Sequence, residues 1–165
     1  MPPDHVSYPS DWGVGVFNYD MPGWHTQGLE KGGFAYSVMI HELGHGLGLA
    51  HPHDSGGTSS TYASLGIGNL DNAIYTTMSY NDIGESWNPY SSYDWNSTSW
   101  GTYGQIATPM ALDIAAIQHI YGANTTHNTG DTTYSLLTDR YECIWDAGGT
   151  DTISAVGLSD TVTIN

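Results

Sequence analysis

Residues 41–51 read H-E-L-G-H-G-L-G-L-A-H, the pattern H-E-x-x-H-x-x-G-x-x-H, and no other stretch restricts the fold as tightly. An α-helix returns to the same face roughly every 3.6 residues, so His41 and His45 project one turn apart and both imidazoles can reach one metal ion. Glu42, adjacent to the first of them, then stands beside that ion, where a carboxylate can take a proton from bound water. Glycine accepts the positive φ that ends a helix, so Gly48 permits a sharp turn that returns His51 to the same ion. Three histidines leave one coordination position open, as catalytic zinc sites do. The core H-E-x-x-H alone also arises by chance, near a structural zinc or with no metal. Three histidines, a glutamate and a glycine at fixed offsets arise by chance far less often.

Composition narrows the partners. The 165 residues suffice for one domain with a core, or one domain and a short appendage. Net charge is -15, with Lys31 and Arg140 the only basic residues, so almost nothing can neutralise phosphates. Nucleic acid and anionic membrane surfaces are thereby excluded as partners, and cation binding is favoured. Cys143 is alone, which rules out an internal disulfide and leaves a small buried apolar residue as its simplest role. No apolar run approaches the roughly 20 residues of a membrane helix, and the start lacks a basic-then-apolar leader.

Along the chain, Val6 to Tyr8 and Val14 to Asn18 read as strands around a turn, with an irregular tail the equal alternative for His5 to Tyr8. A helix is predicted from Gly33 or Phe34 to Leu47, with Val38, Leu43 and Leu47 as its apolar contacts. Residues 52–107 are rich in Ser, Thr, Gly, Asn and Tyr, a length of irregular chain that is unusual unless functional. Its Trp87, Tyr90, Tyr93, Trp95, Trp100 and Tyr103 either line a subsite or pack on the loop itself. A second helix follows: Thr108 can cap it, Pro109 suits its first turn, Met110, Ile114, Ile117 and Tyr121 share a face, and Gly122 stops it. Asp113 lies on the buried side, where a carboxylate is costly unless it accepts hydrogen bonds; the other reading is an anion favoured in the first turn by the helix dipole. Short β-prone runs, Thr132 to Leu137, Tyr141 to Trp145 and Thr161 to Ile164, alternate with Gly and Asp turns. His53 follows His51 by two positions and does not fit the ligand spacing, and His5, His25, His119 and His127 read as surface or packing residues.

The histidine motif, Pro52 after its third histidine, Thr77-Met78-Ser79-Tyr80, the helix Asp113 to Gln118 with its exit Tyr121 to Asn124, and Ile144 to Asp151 together resemble the metzincin metalloproteases. Within that clan the likeness is to the serralysin-like branch, over about Tyr8 to Ser154. The resemblance implies an α+β fold: a truncated metzincin catalytic domain with two main helices, a short antiparallel strand pair, a long irregular loop and a small C-terminal β segment. It divides the chain at 1–124, partial catalytic domain, and 125–165, the start of a calcium-binding β-roll-like segment. No G-G-x-G-x-D array follows to complete such a roll.

By the same resemblance the chain is a secreted, extracellular zinc endopeptidase acting on extended polypeptide bound as an added strand. His41, His45 and His51 would hold Zn2+ with Glu42 as general base. Met78 would lie beneath the site, Tyr80 would be an additional ligand and oxyanion donor, and Asp113 would support the Met-turn. A calcium ion would take Asn128, Gly130 and Thr132 from one loop and Asp146, Gly148 and Asp151 from another, the other reading of these loops being ordinary hairpin turns. Asn128 departs from the family's arginine at its position, and the contact there is through the backbone carbonyl. Fewer residues precede His41 than the family has. That leaves a fragment or a reduced relative, and a different class of function, a zinc- and calcium-binding module without proteolysis.

Overall fold

The computed structural model describes residues 15–18, 20, 23, 24, 26–55, 59–81, 104–159, 161 and 162. A short 3-10 helix, Thr26–Leu29, leads to α1, Phe34–Gly46, which packs against it. No side chain caps α1. Its first turn is instead held by Gly33 N–H donating to Glu30 O at 2.8 Å and by the Ser37 hydroxyl donating to Phe34 O at 2.8 Å. Its C-terminus closes with Leu49 N–H on Gly44 O at 3.0 Å and Gly48 N–H on His45 O at 2.9 Å, the paired bonds of a Schellman motif. Gly48 takes φ 96, the left-handed backbone that this motif requires and that an L side chain resists.

The apolar contacts expected of α1 are largely corrected. Val38 is half-buried, but Leu43 and Leu47 are 60% and 40% exposed. The fully buried positions of the helix are the small ones, Ala35 and Gly44. A Cβ built on Gly44 would stand 2.6 Å from Met78 Sδ, so this glycine lets the methionine sulfur lie directly against the helix.

After α1 the chain runs through turns to a second 3-10 helix, Gly68–Leu70, and then to the Met78 turn. Helix α2, Ala111–Tyr121, begins where Leu112 N–H donates to Tyr75 O at 3.0 Å, which ties its first turn to that loop. Thr108 does not cap it, since the Thr108 hydroxyl accepts Cys143 N–H at 2.7 Å. The first-turn donor at Met110 is satisfied by the Asp113 carboxylate at 2.8 Å. Along the expected apolar face Met110 is buried and Ile114 and Ile117 are half-buried, while Tyr121 is exposed and donates its hydroxyl to Leu47 O at 3.1 Å. Gly122, φ 86, ends the helix.

The main core cluster is small: Ala73, Ile106 and Met110, with Tyr141 and Cys143 packed against it. A parallel bridge between Ile106 and Tyr141 brings the C-terminal segment back onto the entrance of α2. Burial and the Asp113 charge push the half-buried Cys143 thiol up.

The strand pair is not the one predicted. Strands β1, Thr133–Ser135, and β2, Thr152–Ser154, run parallel, with Thr133 beside Thr152, Tyr134 beside Ile153 and Ser135 beside Ser154. The intervening loop, 136–151, is long enough to carry the chain back to its starting end, and a parallel pair needs such a crossover. Of the expected antiparallel pair, His5 to Tyr8 and Val14 lie outside the described residues, and 15–18 form no ladder. Tyr141 to Trp145 contributes only the bridge at Tyr141, and 161–162 are not in a strand. The aromatic set from Trp87 to Tyr103, and also His5 and His25, lie outside the described residues. No helix among the described residues is long and apolar enough to cross a membrane.

Candidate metal centre

Helix α1 and its glycine turn bring His41, His45 and His51 into one cluster. Each ring is fixed from behind. His41 Nδ1 donates to Thr77 O at 2.8 Å, His45 Nδ1 to Leu49 O at 2.9 Å, and His51 Nδ1 to Asp54 Oδ2 at 2.7 Å. Carbonyls and ionised carboxylates only accept, which assigns the proton to Nδ1 in all three rings and leaves a lone pair on each Nε2. Those lone pairs converge. His51 Nε2 is 3.2 Å from His41 Nε2 and 3.0 Å from His45 Nε2.

Three acceptors facing one another cannot hydrogen-bond among themselves, and their dipoles repel. A cation between them removes that conflict. Nitrogens about 2.0–2.1 Å from a tetrahedral zinc stand about 3.3 Å apart, close to the separations found. The donor set therefore fits a borderline metal such as zinc, with imidazole ligands locked by outer hydrogen bonds.

The electrostatics agree. The His41 pKa is lowered chiefly by burial, with His45 and His51 adding to the shift and the Thr77 carbonyl and Glu42 charge opposing it. A lowered value keeps the imidazole neutral, the form that ligates. The His51 hydrogen bond holds the Asp54 carboxyl below its ordinary value.

Around the triad, Tyr80 presents its ring 4.5 Å from that of His51 and 5.6 Å from that of His41, centroid to centroid, with 67% of the residue exposed. Glu42 is exposed on α1 next to His41. Met78 is buried beneath Gly44. Asp113, 2% exposed, accepts from the Thr76 hydroxyl at 2.6 Å, Thr77 N–H at 2.7 Å and Met110 N–H at 2.8 Å. One carboxylate thus holds the residue whose carbonyl orients His41. The same loop is braced by Ser79 donating to Asp71 Oδ1 at 2.6 Å.

Sequence reading passed over Asp54. The rule that a ligating histidine hands its other N–H to a carboxylate, applied to the residues flanking His51, would have found it. The carbonyls of Thr77 and Leu49 carry no side-chain signature, so only the folded backbone reveals them.

The second expected ligand set lies on two loops packed against each other. A Cβ on Gly149, φ 113, would come 2.5 Å from Gly130 O, and one on Gly148 3.6 Å from Thr129 O. Asp146 accepts Tyr134 O–H at 2.5 Å and Gly148 N–H at 2.8 Å, and Asp151 accepts Thr132 N–H at 3.0 Å. The Tyr134 bond lowers the Asp146 pKa first, the Gly148 amide second. The Thr132 hydroxyl donates to Gly130 O at 3.1 Å, and Asn128, φ 50, donates its amide to the Tyr134 oxygen at 2.8 Å. An all-oxygen set with two carboxylates matches a hard cation, and each oxygen keeps a lone pair beyond the bonds named.

No family model matches the chain. It is 35% identical to Serralysin C of Dickeya chrysanthemi, in an alignment covering 98% of this chain and 35% of that protein. It is 34% identical to Serralysin of Proteus mirabilis over 78% of this chain and 27% of the relative, and 33% identical to Metallopeptidase AprA of Pseudomonas marginalis over 80% and 29%. The chain spans about a third of the length of the curated relatives it matches. Over most of its length the chain is thus a homologue of the serralysin-like metalloproteases, and its structure gathers a histidine cluster that could hold a metal ion.

Proposed function

We propose that the protein is a zinc-dependent endopeptidase, with extended polypeptide as substrate. The observation that carries this reading is the convergence of three Nε2 lone pairs, each ring locked by an outer acceptor. His41, His45 and His51 would hold the zinc, and Tyr80 would add its phenol oxygen. Bound there, zinc supplies Lewis-acid polarisation of a scissile carbonyl.

The chain's own groups do the rest. Glu42 takes a proton from the attacking water and returns it to the leaving amine, so that one peptide bond and one water become a carboxylate and an amine. Tyr80, exposed at the mouth of the cluster, donates its hydroxyl to the oxygen on which negative charge develops. Asp113 and Met78 hold the loop that presents Thr77 O to His41, and Asp54 orients His51.

In this reading residues 1–124 belong to the catalytic part and 125–165 to a segment that binds calcium through Asn128, Gly130, Thr132, Asp146, Gly148 and Asp151. The protein works outside the cell, where its acidic surface and a calcium ion are compatible with the medium. Support for the calcium site comes from the packed glycine loops and their oxygen donors.

The test is hydrolysis of casein by the zinc-loaded protein and by Glu42→Ala. The variant is expected to retain one zinc and to lose activity by about 10²–10⁴-fold, the usual worth of a general base. Undiminished cleavage by Glu42→Ala would remove Glu42 from its role. Zinc binding without turnover by the wild type would leave a metal-binding module instead.

A further inference from the structure

His53 stands apart from the triad but not far from it. Its ring stacks on that of His51 with centroids 5.1 Å apart and planes 11° from parallel, and lies 5.0 Å from the Tyr80 ring. Its Nε2 is 3.9 Å from Asp54 Oδ1, while Asp54 Oδ2 accepts the His51 proton at 2.7 Å. Asp54 therefore faces two ways, one oxygen toward the triad and the other toward His53. Ligand atoms of His51, His53 and Asp54 all lie within 4.8 Å of one another, a spacing that a metal ion can bridge.

We propose that His53 and Asp54 form a second, weaker site for a divalent transition-metal ion, beside the triad and coupled to it through the Asp54 carboxylate. The proposal rests on the histidine triad being the primary zinc site. Imidazole with carboxylate selects zinc, copper or cobalt over calcium or magnesium, which prefer oxygen alone. Ligands about 2.0–2.2 Å from a tetrahedral ion stand about 3.3–3.5 Å apart, so the 3.9 Å gap needs only a small rotation of an exposed ring. His51 cannot turn its Nδ1 to the second ion without losing its bond to Asp54 and is not counted as a ligand. Two protein ligands, with water completing the shell, make a site that fills only when the metal is in excess.

Occupation has a consequence for the first site. A cation on Asp54 Oδ1 draws electron density from Oδ2 and weakens its hold on the His51 proton, which makes His51 a poorer donor to the primary ion. Coupling of this kind is reciprocal, so filling one site weakens the other. The second ion also stands next to the Tyr80 ring, so it crowds the mouth of the cluster. Excess zinc is expected to depress activity.

The experiment is calorimetric titration of chelator-stripped protein with Zn2+, repeated with Co2+ while its visible absorption is followed. Wild type is expected to bind one equivalent tightly and a second at least about tenfold more weakly. His53→Ala is expected to keep the first step and lose the second, and His119→Ala, which removes an exposed histidine on α2, to keep both. A single step in wild type, or a second step that survives in His53→Ala, overturns the inference and leaves the triad reading intact. Absence of both steps in wild type overturns the triad reading and this inference together.

Discussion

The two candidate cation sites are built on opposite principles. At the triad, each imidazole has spent its one N–H on an outer acceptor and turns its one lone pair toward the other two. At the C-terminal loops, Asp146 and Asp151 accept hydrogen bonds from the loops themselves, and so does Asp131, from Thr150 N–H at 2.8 Å. The first arrangement is electrostatically incomplete without a cation and is braced by a buried carboxylate. The second closes on itself in water. Burial explains the contrast, because Asp113 is cut off from solvent whereas the loop carboxylates can be hydrated when no protein donor serves them. Metal removal should therefore loosen the triad region far more than the C-terminal loops, as local hydrogen exchange with and without chelator would read.

The largest effect on stability should come from Asp113→Ala. It strands the Thr77 and Met110 N–H groups and the Thr76 hydroxyl, and is expected to cost about 3–5 kcal/mol in denaturant unfolding and to reduce zinc affinity. A loss below about 1 kcal/mol would show that the triad's brace lies elsewhere. Gly44→Ala comes next: its methyl would meet the Met78 sulfur, for an expected loss of about 1–3 kcal/mol that Met78→Leu does not relieve. Asp54→Asn should weaken zinc binding about 10–100-fold with little change in unfolding of the metal-free protein, measured by competition with a chromophoric chelator.

Smaller changes are expected in the loops. Asp151→Ala should cost about 0.5–1.5 kcal/mol in calcium-free buffer, since its hydrogen bond from the half-buried Thr132 N–H lies at the surface and water can replace the lost acceptor. A larger loss without calcium would mean that these loops resemble the triad after all. The smallest effect concerns pH. The Asp146 carboxyl is lowered first by the Tyr134 hydroxyl, so it favours the folded state above its unfolded pKa, and this advantage fades as pH falls through the folded value. Tyr134→Phe should move that carboxyl back up toward the ordinary range, read by NMR titration of its side chain.

Legibility in the sequence followed distance along the chain. Helix α1 and its stop could be read from residues 34–48, because a 3.6-residue period and a glycine at the turn are local properties. Helix α2 was equally visible, but its cap was misassigned. Thr108 has the right chemistry for a cap, yet its hydroxyl is claimed by Cys143, and the donor it would have served goes to Asp113. The direction of the C-terminal strand pair was not legible for a related reason. β-prone composition shows where extended chain lies, but the direction of pairing depends on how the 136–151 loop crosses, which no short window encodes.

What the sequence determined by itself is the chemistry on offer: three imidazoles and a carboxylate at offsets that one helix and one turn can gather, in a chain almost without basic residues. The tertiary structure decided which atoms are free to use it. Thr77 O reaches His41 across 36 residues, Asp113 holds Thr77 across another 36, and Met78 fits only because Gly44 has no side chain. Spacing fixes which side chains share a face, whereas the protonation and aim of each ring depend on backbone carbonyls and buried carboxylates that only the packed chain brings within reach.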